Sequence, residues 1–134
     1  MIMSKYKSQG LKNTFRNARK GFRLVLKSER NIRIHLVVAS LVIAAGTFFQ
    51  FNVEKFAILL FAIALVIVTE MVNTAIEFTL DAYYHNKFNK MVGMAKDISA
   101  GAVMLSTIIS IVIGCLLFGQ AIIDMVARGT VFNF

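Results

Sequence analysis

Residues 56–81 read FAILLFAIALVIVTEMVNTAIEFTLD, and this stretch decides the fold. From Phe56 to Thr69 it carries no charge, and beyond that come Glu70, Asn73, Glu77 and Asp81. At a helical rise of about 1.5 Å per residue, Glu70 lies about 21 Å from Phe56 in a hydrocarbon core of roughly 30 Å, with Glu77 about 10 Å further on. The stretch is expected to span a membrane over residues 56–80. Glu70 then sits near one boundary, Glu77 at the headgroups and Asp81 just beyond. At about 100° per residue the four polar residues share an arc of about 80°, a single stripe on one helix face.

Working outward, two more apolar runs, residues 34–51 and 98–127, supply a first and a third span. With 57% hydrophobic residues and no proline, the chain is too apolar for an ordinary small soluble domain. It reads as one membrane unit over residues 1–134. The net charge of +8 is unevenly placed, because ten of the fifteen Lys and Arg residues precede Ile34, where the only acid is Glu29. Such an arm holds its side of the membrane in the cytoplasm. No recognition motif accompanies the charge, so nucleic acid is not an expected partner.

Residues 11–30 form an amphipathic surface helix: Leu11, Phe15, Ala18, Phe22, Val25 and Leu26 take one face, and Lys12, Arg16, Arg19, Lys20, Arg23 and Lys27 the other. Contact with membrane lipids is expected along it, and packing on protein alone is the alternative. NVEK, residues 52–55, is the outer turn, and AYYHNKFNKMVGMAK, residues 82–96, is a cytoplasmic connection holding Lys87, Lys90 and Lys96. The fold class is thus an all-α membrane protein, a surface helix followed by three transmembrane helices with no second domain. No cleavable leader is expected, since the first apolar run follows a long basic segment. Cys115, the single cysteine, is expected as a small packing residue.

The carboxylate stripe has two readings. In one, its residues pair with basic groups to hold helices together. In the other, several acids on one face are reconciled by a divalent cation, and magnesium suits carboxylate and phosphate oxygens. Lys96 and Asp97 enter the third span at the expected level of Glu77, and Glu29 lies at the same boundary. A water-soluble phosphate donor and a lipid hydroxyl could meet in this layer. Neither a P-loop nor a protein-kinase signature occurs, so any ATP would need a different cradle.

EMVNTAIEFTLD, residues 70–81, and AKDISAGAV, residues 95–103, together with KGFRLVLKSERNIRIHL, residues 20–36, resemble the small integral-membrane diacylglycerol kinases. The likeness extends from about Leu11 to Gly119. ERNIRIHL and AKDISAGAV look more like the Gram-positive branch, which acts chiefly on undecaprenol. The resemblance implies a bacterial membrane enzyme, a homotrimer with sites shared between neighbouring subunits. It implies ATP- and Mg2+-dependent phosphorylation of a lipid hydroxyl at the cytoplasmic face, with diacylglycerol as the alternative substrate.

Position by position, the resemblance implies that Glu70 is the general base and that Glu29 and Glu77 hold the metal. Asn73, Lys96, Asp97 and Asp81 would serve the nucleotide, as would Lys20 unless it contacts headgroups. Gly10 and His35 stand where the diacylglycerol branch has an arginine and an acid, so contacts made there do not carry over. His35 is expected to be an interfacial anchor and His85 a structural loop residue. Outside this family, a small proton or cation channel would need its carboxylates at mid-membrane, and a purely structural scaffold would tolerate loss of Glu77.

Overall fold

Buried positions recur every seven residues on one helix and every three or four on the next, and these two seams pack the molecule. The computed structural model describes residues 10–85 and 89–131, the last two by backbone alone. Four helices follow one another: α1 (Leu11–Ser28), α2 (Arg30–Phe48), α3 (Val53–Tyr84) and α4 (Lys90–Val131). On α2 the seam is Ile32, Ala39 and Gly46. On α3 it is Leu59, Ala62, Val66, Glu70 and Thr74. A carboxylate therefore occupies a core position between Val66 and Thr74.

α1 keeps nearly all of its side chains exposed, burying Val25 and half-burying Phe22 and Leu26. It meets α2 and α3, which is how its apolar face is covered in part by protein. At its end the Ser28 hydroxyl donates to the carbonyls of Leu24 (3.1 Å) and Val25 (3.4 Å), a side-chain bond that competes with the helix ladder. Glu29 follows in extended conformation, φ −106° and ψ 120°, and α2 begins at once. The surface helix thus ends two residues before its expected limit, and α2 starts four residues before the expected first span.

α3 packs most extensively along α4, and α2 lies against α3. Hydroxyls stitch the α3–α4 contact: Thr69 and Ser106 are 2.7 Å apart, and Ser110 donates to the Ala62 carbonyl at 2.9 Å. Such bonds help where lipid offers no hydrophobic gain for bringing apolar helices together. Beyond them, Phe51 and Leu59 meet Leu117 and Ala121 in an apolar cluster. The rings of Phe51 and Phe118 are 4.9 Å apart. Gly46 sits in a tight contact, since a Cβ there would lie 3.2 Å from the Phe51 ring and 3.3 Å from Leu59 and both would have to give way.

The turn between α2 and α3 is tighter than NVEK suggested. Gln50 adopts φ 54°, and Asn52 caps α3 by accepting the Lys55 backbone N–H at 2.9 Å, which moves Glu54 and Lys55 into the helix. At the other end His85, φ 49°, closes α3 in a left-handed conformation, in keeping with a structural role. Asn89 caps α4 through the Met91 N–H at 2.9 Å. Lys90 and Lys96 accordingly belong to α4 and not to a loop, because helix formation resumes five residues after His85. Lys87 lies outside the described residues.

α2, α3 and α4 are each long and apolar enough to cross a membrane. With 32 and 42 residues, α3 and α4 measure about 48 and 63 Å, longer than a hydrocarbon core of roughly 30 Å. Each is long enough to cross that core tilted or to extend beyond it. The chain exposes 10828 Å² of surface, against about 7,000 Å² for a compact soluble protein of this mass. Its exposed side chains include Val37, Leu41, Phe61, Leu105 and Leu116, all apolar. This is a multi-pass membrane protein whose outward faces are suited to lipid or to further helices.

Candidate active site

The seam of α3 carries Glu70 to a place where its residue is only 5% exposed. Its Oε1 is buried with no hydrogen-bond partner among the described residues. A buried polar atom in that condition costs on the order of 1–3 kcal/mol, so its retention calls for an explanation. His35 of α2 faces it, Nε2 standing 3.7 Å from Oε1, beyond hydrogen-bond reach. Glu29 and Glu77 are also close enough to act on it electrostatically. Asn31, His35, Glu70 and Asn73 together line one wall of a cavity of about 460 Å³, and Ala100, Val103 and Thr107 of α4 form part of the other.

Each of these groups has a local reason for its position. Glu29 stands at the extended break between α1 and α2, within electrostatic range of Glu70. Glu77 lies two helical turns from Glu70 on the same face, with the Asn73 amide between them. The Asn73 Nδ2 points to Glu77 Oε1 at 3.5 Å, and the Asn73 Oδ1 accepts from the Ser99 hydroxyl at 2.6 Å. Ser99 also lies 2.9 Å from the Lys96 carbonyl, so its one proton is shared between two acceptors.

Lys96 does not stand beside Glu77. Its Nζ pairs with Asp81 Oδ1 at 2.5 Å, one turn further along α3, and both side chains are partly exposed. The register of two antiparallel helices, together with the reach of a lysine, decides this. Asp97, the next residue, is exposed, as is Lys20 on α1. A single chain therefore assembles Glu29, Glu70, Asn73 and Glu77 as one group and Asp81 with Lys96 as a second, leaving Asp97 and Lys20 outside both.

Sequence reasoning missed His35, Asn31 and Ser99. Asn31 and His35 are four residues apart at the start of an apolar helix, a spacing that puts both on one face. Ser99 stands inside AKDISAGAV, but a serine in a span is no signal without a partner. His35 is a corrected reading: expected to anchor in the interface, it points into the protein toward Glu70. Cys115 is corrected too, being exposed and lining an apolar cavity of about 380 Å³ between α2, α3 and α4. That cavity runs from Phe118 past Val42 and Ile63 to His35.

No group of three or more His, Cys, Asp and Glu side chains placed to hold a metal exists among the described residues. Glu29 and Glu77 are the two carboxylates that act electrostatically on Glu70. This donor set suits magnesium, which is usually held by one or two carboxylates together with substrate phosphates and water.

The family described as prokaryotic diacylglycerol kinase matches residues 16–118. A diacylglycerol kinase of Synechocystis sp. is 33% identical over 105 residues, covering 78% of this chain and 60% of that protein, so the shared stretch is less than two-thirds of its length. An undecaprenol kinase of Bacillus subtilis is 32% identical over 105 residues, covering 78% of this chain and 85% of that protein.

Proposed function

Because the chain belongs to the prokaryotic diacylglycerol kinase family, a family of lipid kinases, we propose that it transfers the γ-phosphoryl group of ATP to the hydroxyl of undecaprenol. The observation that carries this reading is the buried Glu70 carboxylate, whose Oε1 has no hydrogen-bond partner among the described residues, at a cavity of mixed lining that shares His35 and Thr107 with an apolar one. A lipid tail suits the apolar side and its hydroxyl end suits the carboxylate.

Glu70 is the general base. It takes the hydroxyl proton as the lipid oxygen attacks the γ-phosphorus in line, while the bond to the β-phosphate oxygen breaks and ADP leaves. Glu29 and Glu77 would hold Mg2+ against the nucleotide phosphates, where the ion supplies charge neutralisation. Asn73, oriented by Ser99, steadies Glu77. Lys96 offsets phosphate charge when it turns from Asp81, which then serves the nucleoside side. Asp97 and Lys20 would reach the nucleotide of a neighbouring copy in a homotrimer. The site would face the cytoplasm, as the basic arm on α1 favours.

Undecaprenol is preferred over diacylglycerol on the likeness of ERNIRIHL and AKDISAGAV to the undecaprenol-acting branch, and on the fuller coverage of the Bacillus subtilis relative. The Synechocystis match keeps diacylglycerol as the second reading. The test is ATP-dependent phosphorylation by the purified protein in mixed micelles with Mg2+, offering the two lipids side by side. Preference for undecaprenol is expected; preference for diacylglycerol overturns the substrate but keeps the base. Glu70→Gln should still bind ATP while turnover falls by about 100-fold or more, and undiminished turnover removes Glu70 from the role.

A further inference from the structure

Among the described residues, His35 and Thr107 alone line both cavities, the apolar one between α2, α3 and α4 and the one of mixed lining at Glu70. The Thr107 hydroxyl is committed to the Val103 carbonyl at 2.9 Å, which leaves His35 as the junction's available polar group. Its Nε2 faces the one Glu70 oxygen that is buried without a partner. A separation of 3.7 Å is too long for a hydrogen bond, but hydrogen bonds of catalytic groups are often long before the substrate is seated and tighten in its complex.

We propose that His35 is the positioning residue for Glu70: its Nε2–H donates to Oε1 when the lipid closes the junction, which leaves Oε2 to accept the hydroxyl proton. The inference rests on the reading of Glu70 as base. Without the imidazole the carboxylate can turn about its terminal torsion, and the angle at which it meets the hydroxyl is lost. His35 forms no bond to the phosphoryl group and takes no proton from the lipid. Its effect belongs in kcat, since the Glu70 carboxylate does its work in the transition state. The groups facing the pair are Asn31 on α2, Asn73 and Glu77 on α3, and Glu29 at the α1–α2 break.

The experiment compares wild type, His35→Ala, His35→Gln, Glu70→Gln and the double variant Glu70→Gln/His35→Ala, each purified in detergent and checked for folding by circular dichroism and gel filtration. Each is assayed for kcat and for KM of ATP and lipid, with undecaprenol and diacylglycerol as acceptors. His35→Ala should lower kcat by about 10- to 100-fold with KM for ATP within about twofold. His35→Gln keeps an N–H donor and should recover most of the loss. In the Glu70→Gln background His35→Ala should cost nothing further, because the group it positions is already disabled.

An unchanged kcat in His35→Ala, or a full additional loss in the double variant, overturns the proposal while leaving Glu70 as base. Equal loss in His35→Ala and His35→Gln overturns it as well, since a donor would then not be what matters. Full turnover by Glu70→Gln instead sinks the base assignment, and the proposal with it.

Discussion

The hydroxyl of Ser99 on α4 lies 2.6 Å from Oδ1 of Asn73 on α3, and this contact decides which end of the amide faces Glu77. With Oδ1 accepting from serine, the NH2 group points to the glutamate. Ser99 is itself buried, so water is poorly placed to replace it.

Ser99→Ala should therefore take its partner from a half-buried amide oxygen and lower stability by about 1 kcal/mol. With Asn73 free to turn, the Mg2+ concentration needed for half-maximal phosphorylation should rise several-fold. Thermal unfolding in detergent and a magnesium titration of activity measure the two effects. An unchanged magnesium requirement would separate Ser99 from the acid pair.

Glu70 occupies a position on α3 that packing alone would give to an apolar side chain, between Val66 and Thr74. Glu70→Leu should raise stability by about 1–3 kcal/mol, because it removes an unpartnered buried oxygen, and should abolish turnover. A denaturation midpoint that falls would mean the carboxylate is held by its surroundings.

Gly46 lets α2 approach the ring of Phe51 and the side chain of Leu59. Gly46→Leu forces both aside and should cost about 1–3 kcal/mol. The site at Glu70 is far along the helices, so ATP binding measured on the folded fraction should stay within error of wild type. A lower midpoint with intact nucleotide binding is the expected pair of results.

Lys96 and Asp81 are paired but partly exposed. Solvent screens such a contact, so Asp81→Asn should shift stability by less than about 1 kcal/mol. Lys96→Met should leave stability similarly unmoved and raise KM for ATP. A large loss of stability in either variant would make the pair a structural clamp.

Much of this was legible along the chain because it depends on near neighbours. Hydrophobic run length made three helices into spans, alternation of apolar and basic residues made α1 a surface helix, and spacings of three and four put Glu70, Asn73 and Glu77 on one face. The ends of the helices were less legible, because caps such as Asn52 and Asn89 and the break at Glu29 turn on single hydrogen bonds and backbone angles. The motif likeness placed the chain in its family without reference to any contact.

What the sequence determined alone is therefore the set of helices, the face each presents, and the spacing of the acids along α3, since rise and rotation per residue are properties of the helix itself. Which residue of one helix meets which of another was decided only by tertiary structure. His35 meeting Glu70, Ser99 meeting Asn73 and Lys96 reaching Asp81 depend on the rotation and vertical register of packed helices, and those are set by how side chains such as Ile32, Gly46 and Ser106 fit their neighbours. No local period carries that information, because it belongs to the surface between two helices.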